Sequence, residues 1–141
     1  MNLPIIRLIY ASQATTLMKP QDEWSILETA RTANPKLDIT GLLTFDEQYF
    51  CQYLEGPRDA VTSLFLKIAL DRRHERIQLL DVSPIEARLF GQWSMAFAPR
   101  EEAFAPVYQA HFGQGQFNPF LLSDQGADFF FRALKEQLAL A

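Results

Sequence analysis

Cysteine is nearly missing from this 141-residue chain: Cys51 stands alone, so no internal disulfide can form. A reducing compartment is the expected setting. Histidine is as scarce. His74 and His111 are the only two, 37 positions apart, and too few for a tetrahedral zinc site. Basic charge is also short: 13 Lys and Arg face 17 Asp and Glu, for a net charge of −4. A phosphate backbone wants a basic face, so nucleic acid is not an expected partner. No apolar run approaches the length of a membrane span. The opening "MNLPIIRLIYAS" carries Arg7 inside its apolar stretch and lacks the cationic start of a secretory leader. The expected location is therefore the cytoplasm.

Catalytic signatures are missing too. There is no P-loop, no G-x-S-x-G and no H-E-x-x-H. "GQGQFN" lacks the third glycine of a dinucleotide fingerprint and follows no strand. A hydrolytic or metal enzyme is hard to build from these residues, and the expectation is a protein that is not an enzyme. His74, amid the charges of "DRRHER", reads as a surface residue. Cys51 reads as a small packing residue.

What the chain does have is apolar surface, 48% of its residues, including twelve Phe. That fits one globular domain with an aromatic core or an aromatic-lined pocket. Residues 3–12 are β-branched and aromatic, a strand with Ile6, Leu8 and Tyr10 on one face and Ile5, Arg7 and Ile9 on the other. "PQDEWSILETARTAN" reads as a helix with Pro20 in its first turn and a stripe of Trp24, Ile26, Leu27, Ala30 and Ala33. Asn34-Pro35 should end it. "DITGLLTF" and "YFCQYLE" form a hairpin around Asp46-Glu47-Gln48. Pro57 then stands at the first position of a helix whose Val61, Leu64, Phe65 and Ile68 share a face. "IQLLDV" and "WSMAFA" (93–98) complete five strands, with Trp93 and Met95 on one strand face. "SPIEARLFGQ" between them reads as strand extension and turn.

The order βαββαββ indicates an α+β, ferredoxin-like two-layer sandwich. Its two helices leave one sheet face bare. After it come a short helix in "REEAFAPVYQAHF", the loop "GQGQFNP", and a helix capped near Ser123 or Asp124. These C-terminal helices are expected to cover the bare face. Residues 1–98 form the core and 99–141 a helical extension.

Three polar side chains stand out in apolar surroundings: Tyr10, Asn34 and Gln52. Each has an ordinary reading, as a packing tyrosine, a helix-ending asparagine, or an amide bonded to a strand end or water. Together they permit another. A phenol donates, and an amide both donates and accepts and can rotate to exchange the two roles. With a heteroaromatic ligand they would form a network with two satisfied arrangements, which a switch requires.

These residues resemble those of the BLUF domain, a flavin-binding blue-light sensor. The resemblance rests on "RLIYAS" with Tyr10, "ARTANPKLDITGLL" with Asn34 and Ile39-Thr40-Gly41, "YFCQYLEG" with Gln52, "LDRRH", and "RLFGQWSMAF". It covers residues 5–98 in the family's order, and the tail is similar to that of short, stand-alone members. The resemblance implies a noncovalent FAD, with FMN left open, held between the two helices. Asn34 and Gln52 would bond its polar edge, with Tyr10 bonded to Gln52. Ile26, Ile39 and Phe50 would make apolar contacts, and Lys67, Asp71 and Arg73 would lie near the ribityl chain and phosphates. Light would then drive electron and proton transfer from Tyr10, and Gln52 would rotate or tautomerise. Trp93 and Met95 would complete the relay, with one at a time on the flavin side. The 43 residues after position 98 are too few for a cyclase or DNA-binding effector, so a downstream signalling protein or a homo-oligomer is the expected partner. Two rivals stand beside this reading: a ferredoxin-like interaction module without photochemistry, and a small flavin reductase.

Overall fold

The computed structural model describes residues 4–99, 102–113 and 116–140. Met1, Asn2, Leu3, Arg100, Glu101, Gln114, Gly115 and Ala141, which the readings above included, lie outside the described residues. Alternating side chains produce five strands: β1 (Ile5–Ala14), β2 (Thr40–Phe45), β3 (Tyr49–Pro57), β4 (His74–Ile85) and β5 (Ala96–Pro99). They form one sheet in the order β4-β1-β3-β2-β5, antiparallel except for the β2–β5 pair. Two helices interrupt the strands, α1 (Asp22–Ala33) and α2 (Arg58–Ala69), and α3 (Ala105–Phe112) and α4 (Asp124–Leu140) follow them. This is the expected α+β order.

Period-two alternation gives the sheet two apolar faces. One face carries Ile6, Leu8, Tyr10, Leu43, Phe50 and Leu54, packed with Leu27 of α1 and Val61 of α2. The other carries Ile9, Leu42, Cys51 and Tyr53, packed with Tyr108 of α3 and Phe130, Phe131 and Leu134 of α4. The C-terminal helices thus cover the face that α1 and α2 leave free. Arg7, on that face, fixes α4 to the sheet by bonding Asp81 at 2.6 Å and Asp128 at 2.7 Å. Ser123 is the cap of α4, its Oγ accepting from the Gly126 N–H at 2.9 Å.

Several local expectations change. Pro20 precedes α1, and Trp24 is 67% exposed, so the buried stripe is narrower than its apolar letters suggest. Asn34 does not leave the helical region. At φ −61°, ψ −39° it leads straight into a 3₁₀ turn, Asn34–Leu37, that ends only at Asp38 with φ 57°. The preference of a pre-proline residue for extended backbone is weak enough for this capture. Pro57 is extended (ψ 138°) and precedes the helix, which starts at Arg58. β5 is shorter than 93–98 and begins at Ala96, so Trp93 and Met95 belong to the segment that leads into it.

One glycine is fixed by close approach. A Cβ on Gly41 would lie 2.0 Å from the Tyr53 carbonyl oxygen of the neighbouring strand. Backbone cannot yield there without breaking the β2–β3 ladder. Gly41→Ala is expected to destabilise the fold by roughly 3 kcal/mol. A urea midpoint unchanged from that of the parent would contradict this.

Candidate functional site

The β1–β3 register sets Tyr10 directly opposite Gln52, so both side chains rise from the same sheet face side by side. The Tyr10 hydroxyl donates to Gln52 Oε1 at 2.5 Å. The other half of the amide is also engaged, with Nε2 donating to Met95 Sδ at 3.5 Å. Tyr10 is 3% and Gln52 5% exposed, so neither bond competes with bulk water. Burial pushes the Tyr10 phenol well above its ordinary value of 10.0, with the Cys51 and Asp71 side chains adding to the effect. The proton therefore stays on the phenol at neutral pH, and the hydroxyl remains a donor.

This pair faces a cavity of about 400 Å³ bounded by α1, α2 and the sheet. Its walls are mostly apolar: Ile26, Ala30 and Ala33 from α1, Leu43 and Phe50 from the sheet, Leu64 and Ile68 from α2. Phe50 is braced by Phe45, stacked on it at 4.1 Å between ring centroids. Polar groups lie at two places. Asn34 and Gln52 present amides, while Lys67, Asp71 and Arg73 supply charge near the end of α2. Arg73 bonds Asp71 at 2.6 Å, and this hydrogen bond holds the Asp71 carboxyl below its ordinary value. A slot with apolar walls, two amides and a charged end suits a planar heteroaromatic ring with an anionic tail.

The end of α1 also holds the chain that brings in Met95. Asn34 Nδ2 donates to the Ser94 carbonyl at 2.9 Å, and Arg31 Nε donates to the Met95 carbonyl at 3.0 Å. Met95 thereby reaches the cavity-side core, 2% exposed. Trp93 does not. It packs with the opposite cluster, 6.3 Å from Phe90 between ring centroids. The two residues sit on opposite sides of the sheet, contrary to the expectation of one shared face, because neither lies in the regular strand that would impose alternation. Ile39 is buried in the cavity-side core but is not among the cavity-lining residues.

His74 corrects another expectation, because it lines the cavity and is 9% exposed. Its Nε2 lies 2.6 Å from the Ile68 carbonyl, which can only accept, so Nε2 carries hydrogen. In the neutral ring Nδ1 then accepts from the Ser12 hydroxyl at 2.7 Å. The ring meets Tyr10 and Phe50 edge-on at 6.3 and 5.9 Å between centroids. The motif "LDRRH" carried this signal, but its charged neighbours masked it. Cys51 faces away from the cavity, and burial pushes its thiol up, which suits packing and not reactivity. Among the described residues no helix is long and apolar enough to cross a membrane.

Comparison with known proteins yields a consistent set of matches. The family described as "BLUF: Sensors of blue-light using FAD" matches residues 5–96. Photoactivated adenylate cyclase subunit beta of Euglena longa is 40% identical over 95 residues, which are 67% of this chain and 11% of that protein. The chain thus spans about a tenth of the length of such relatives. Among solved structures, the photo-activated state of BlsA matches with a TM-score of 0.84 at 34% identity, covering 93% of this chain and 94% of that one. The dark-state structure of BlrB, a BLUF protein, matches with a TM-score of 0.77 at 29% identity and covers 99% of each.

Proposed function

The chain belongs to the BLUF family, sensors of blue light using FAD, and on that premise we propose that its Tyr10–Gln52 pair is the switch of a flavin photoreceptor. The observation that carries this reading is the 2.5 Å bond from a buried phenol to an amide at the wall of an apolar slot. Asn34 and Gln52 would hold the polar edge of the ring. Ile26 and Phe50 would make apolar contacts to it, and Lys67, Asp71 and Arg73 would lie near the ribityl chain and phosphates. Ile39 supports this wall from the core without touching the slot. When bound, the flavin supplies blue-light absorption and an excited state that takes an electron.

The protein's part is to hold a proton and two exclusive arrangements of an amide. In darkness Gln52 accepts from Tyr10 and gives its N–H groups to Met95 and the cavity. Once Tyr10 gives up an electron and its hydroxyl proton passes by way of Gln52 Oε1 to the cavity, where the reduced flavin would hold it, Oε1 loses its donor. Rotation or tautomerisation of the amide then turns an acceptor toward Met95 and the cavity, where a donor had been. Met95 is the relay member in this arrangement, with Trp93 held on the far side. The new amide orientation disfavours the Nε2–Met95 contact and so acts on the segment that enters β5.

Residues 1–98 serve as the sensor and 99–141 as the output layer, which reports to a downstream signalling protein or to further copies of the chain. The relatives that are cyclase subunits support a sensor that works through what it is attached to or bound by. No substrate is turned over by the sensor. Purified protein is expected to release FAD on denaturation, with FMN accepted on reconstitution, and to stay oxidised when NAD(P)H is added in darkness. Bleaching by NAD(P)H would support the reductase instead, and a protein that takes up neither flavin would support the plain interaction module.

A further inference from the structure

Glu55 is a carboxylate with no exposed surface, three positions beyond Gln52 on β3 and on its other face. Three donors converge on it. Its Oε1 accepts from the Leu89 N–H at 2.7 Å. Its Oε2 accepts from the Phe90 N–H and from the Thr40 hydroxyl, both at 2.7 Å. Arg88 closes the arrangement from outside, donating to Thr40 Oγ1 at 2.9 Å and to the Asp38 carbonyl at 2.8 Å. A buried charge is costly unless it is bonded on every side, and here the partners are backbone groups of an irregular segment.

That segment leads to the switch. The Phe90 carbonyl accepts from the Trp93 N–H at 3.0 Å, the Trp93 carbonyl accepts from Gly41 N–H at 3.3 Å, and Met95 ends on Gln52. One strand therefore grips both ends of residues 89–95, with Glu55 at the start and Gln52 at the finish. Only the Gln52 end can change with the amide. The Glu55 end keeps Phe90 against Tyr53 and Trp93 beside Phe90, on the side of the sheet away from the cavity.

We propose that Glu55 is the positioning residue of this switch: its carboxylate anchors residues 89–90 and so holds Met95 toward Gln52 and Trp93 away from it. The inference rests on the photoreceptor reading above and deepens it. Glu55→Gln isolates the effect at nearly constant volume. Whichever end of the amide bears the nitrogen, an N–H₂ group faces the N–H of Leu89 or Phe90, donor against donor, and at least one anchor is lost.

The test uses the full chain with flavin bound, in a Trp24→Phe background that leaves Trp93 as its single tryptophan. Glu55→Gln is expected to keep the flavin and its light-induced shift. Its dark recovery should slow by about fivefold or more, because a charge-assisted anchor of the dark arrangement is gone. Trp93 emission should fall as the ring gains access to the flavin. The control Arg76→Gln removes a guanidinium from the face of Phe120, on the edge strand β4 and away from Glu55, and should recover at the parent rate. Recovery and emission unchanged in Glu55→Gln, or equal slowing in Arg76→Gln, would overturn the proposal. Should Glu55→Gln fail to fold, Arg88→Gln removes the outer brace and must slow recovery in the same direction, by about twofold; parental recovery there overturns it too. A parent protein without any shift would instead bring down the photoreceptor reading itself.

Discussion

Gln52→Leu loses the whole light-induced shift in absorption while flavin stays bound. Leucine fills much of the same space but can neither accept from Tyr10 nor donate toward Met95, so the network has no second arrangement to adopt. Flavin retention follows from the walls, which the substitution leaves in place: Ile26 and Ala30 on one side, Phe50 and Leu43 on another, and Asn34 at the polar edge. The variant also leaves the Tyr10 hydroxyl, 3% exposed, without its acceptor. An unmet buried donor costs about 1–3 kcal/mol, which should lower the melting temperature without preventing folding. Light-minus-dark absorption and thermal melting of the same sample check both parts. A normal shift in this variant would show that the amide is not the switch.

Tyr10→Phe gives the second large effect. The phenyl ring keeps the contact with Phe65, 5.6 Å between centroids, so packing around the site survives. Only the hydroxyl goes, and with it both the proton that burial keeps on the phenol and the donor that orients Gln52. The expected result is a protein that binds flavin, shows no reversible shift, and loses about 1 kcal/mol of stability. The two variants differ in which half of the bond they remove, and they should converge on the same photochemical silence. A shift of parental size in Tyr10→Phe would mean that the electron and proton come from elsewhere.

Much of this site was legible in the sequence because strands impose a rule. Alternation put Tyr10 and Gln52 each on the face of its own strand that carries the large aliphatic residues, and an antiparallel register then made them neighbours. The same rule put Cys51 and Tyr53 on the face that the C-terminal aromatics cover. The rest depended on contacts that follow no period. Met95 and Trp93 part company because residues 89–95 are placed by Glu55 accepting backbone N–H groups, and no spacing of letters announces such a bond. His74 sits among charges in sequence but is drawn inward by the Ser12 hydroxyl and the Ile68 carbonyl, partners from distant and unrelated elements. Trp24 misled in the opposite sense, since an apolar letter on a helix face remains exposed when no layer lies over it. Asn34 stands out in the sequence as a polar residue and does line the cavity, yet its backbone geometry is not legible there, because the 3₁₀ turn overrides the local preference before Pro35.

The central claim is that a hydrogen-bonded tyrosine and glutamine at the wall of a flavin slot form a reversible light switch. The most direct test is the absorption spectrum of the purified, flavin-loaded protein in darkness, under blue light, and during its return to darkness. The account predicts a flavin band that moves to longer wavelength under light and returns fully without added reductant or oxidant. A flavin band that does not move, or that bleaches and fails to return in the dark, would contradict it.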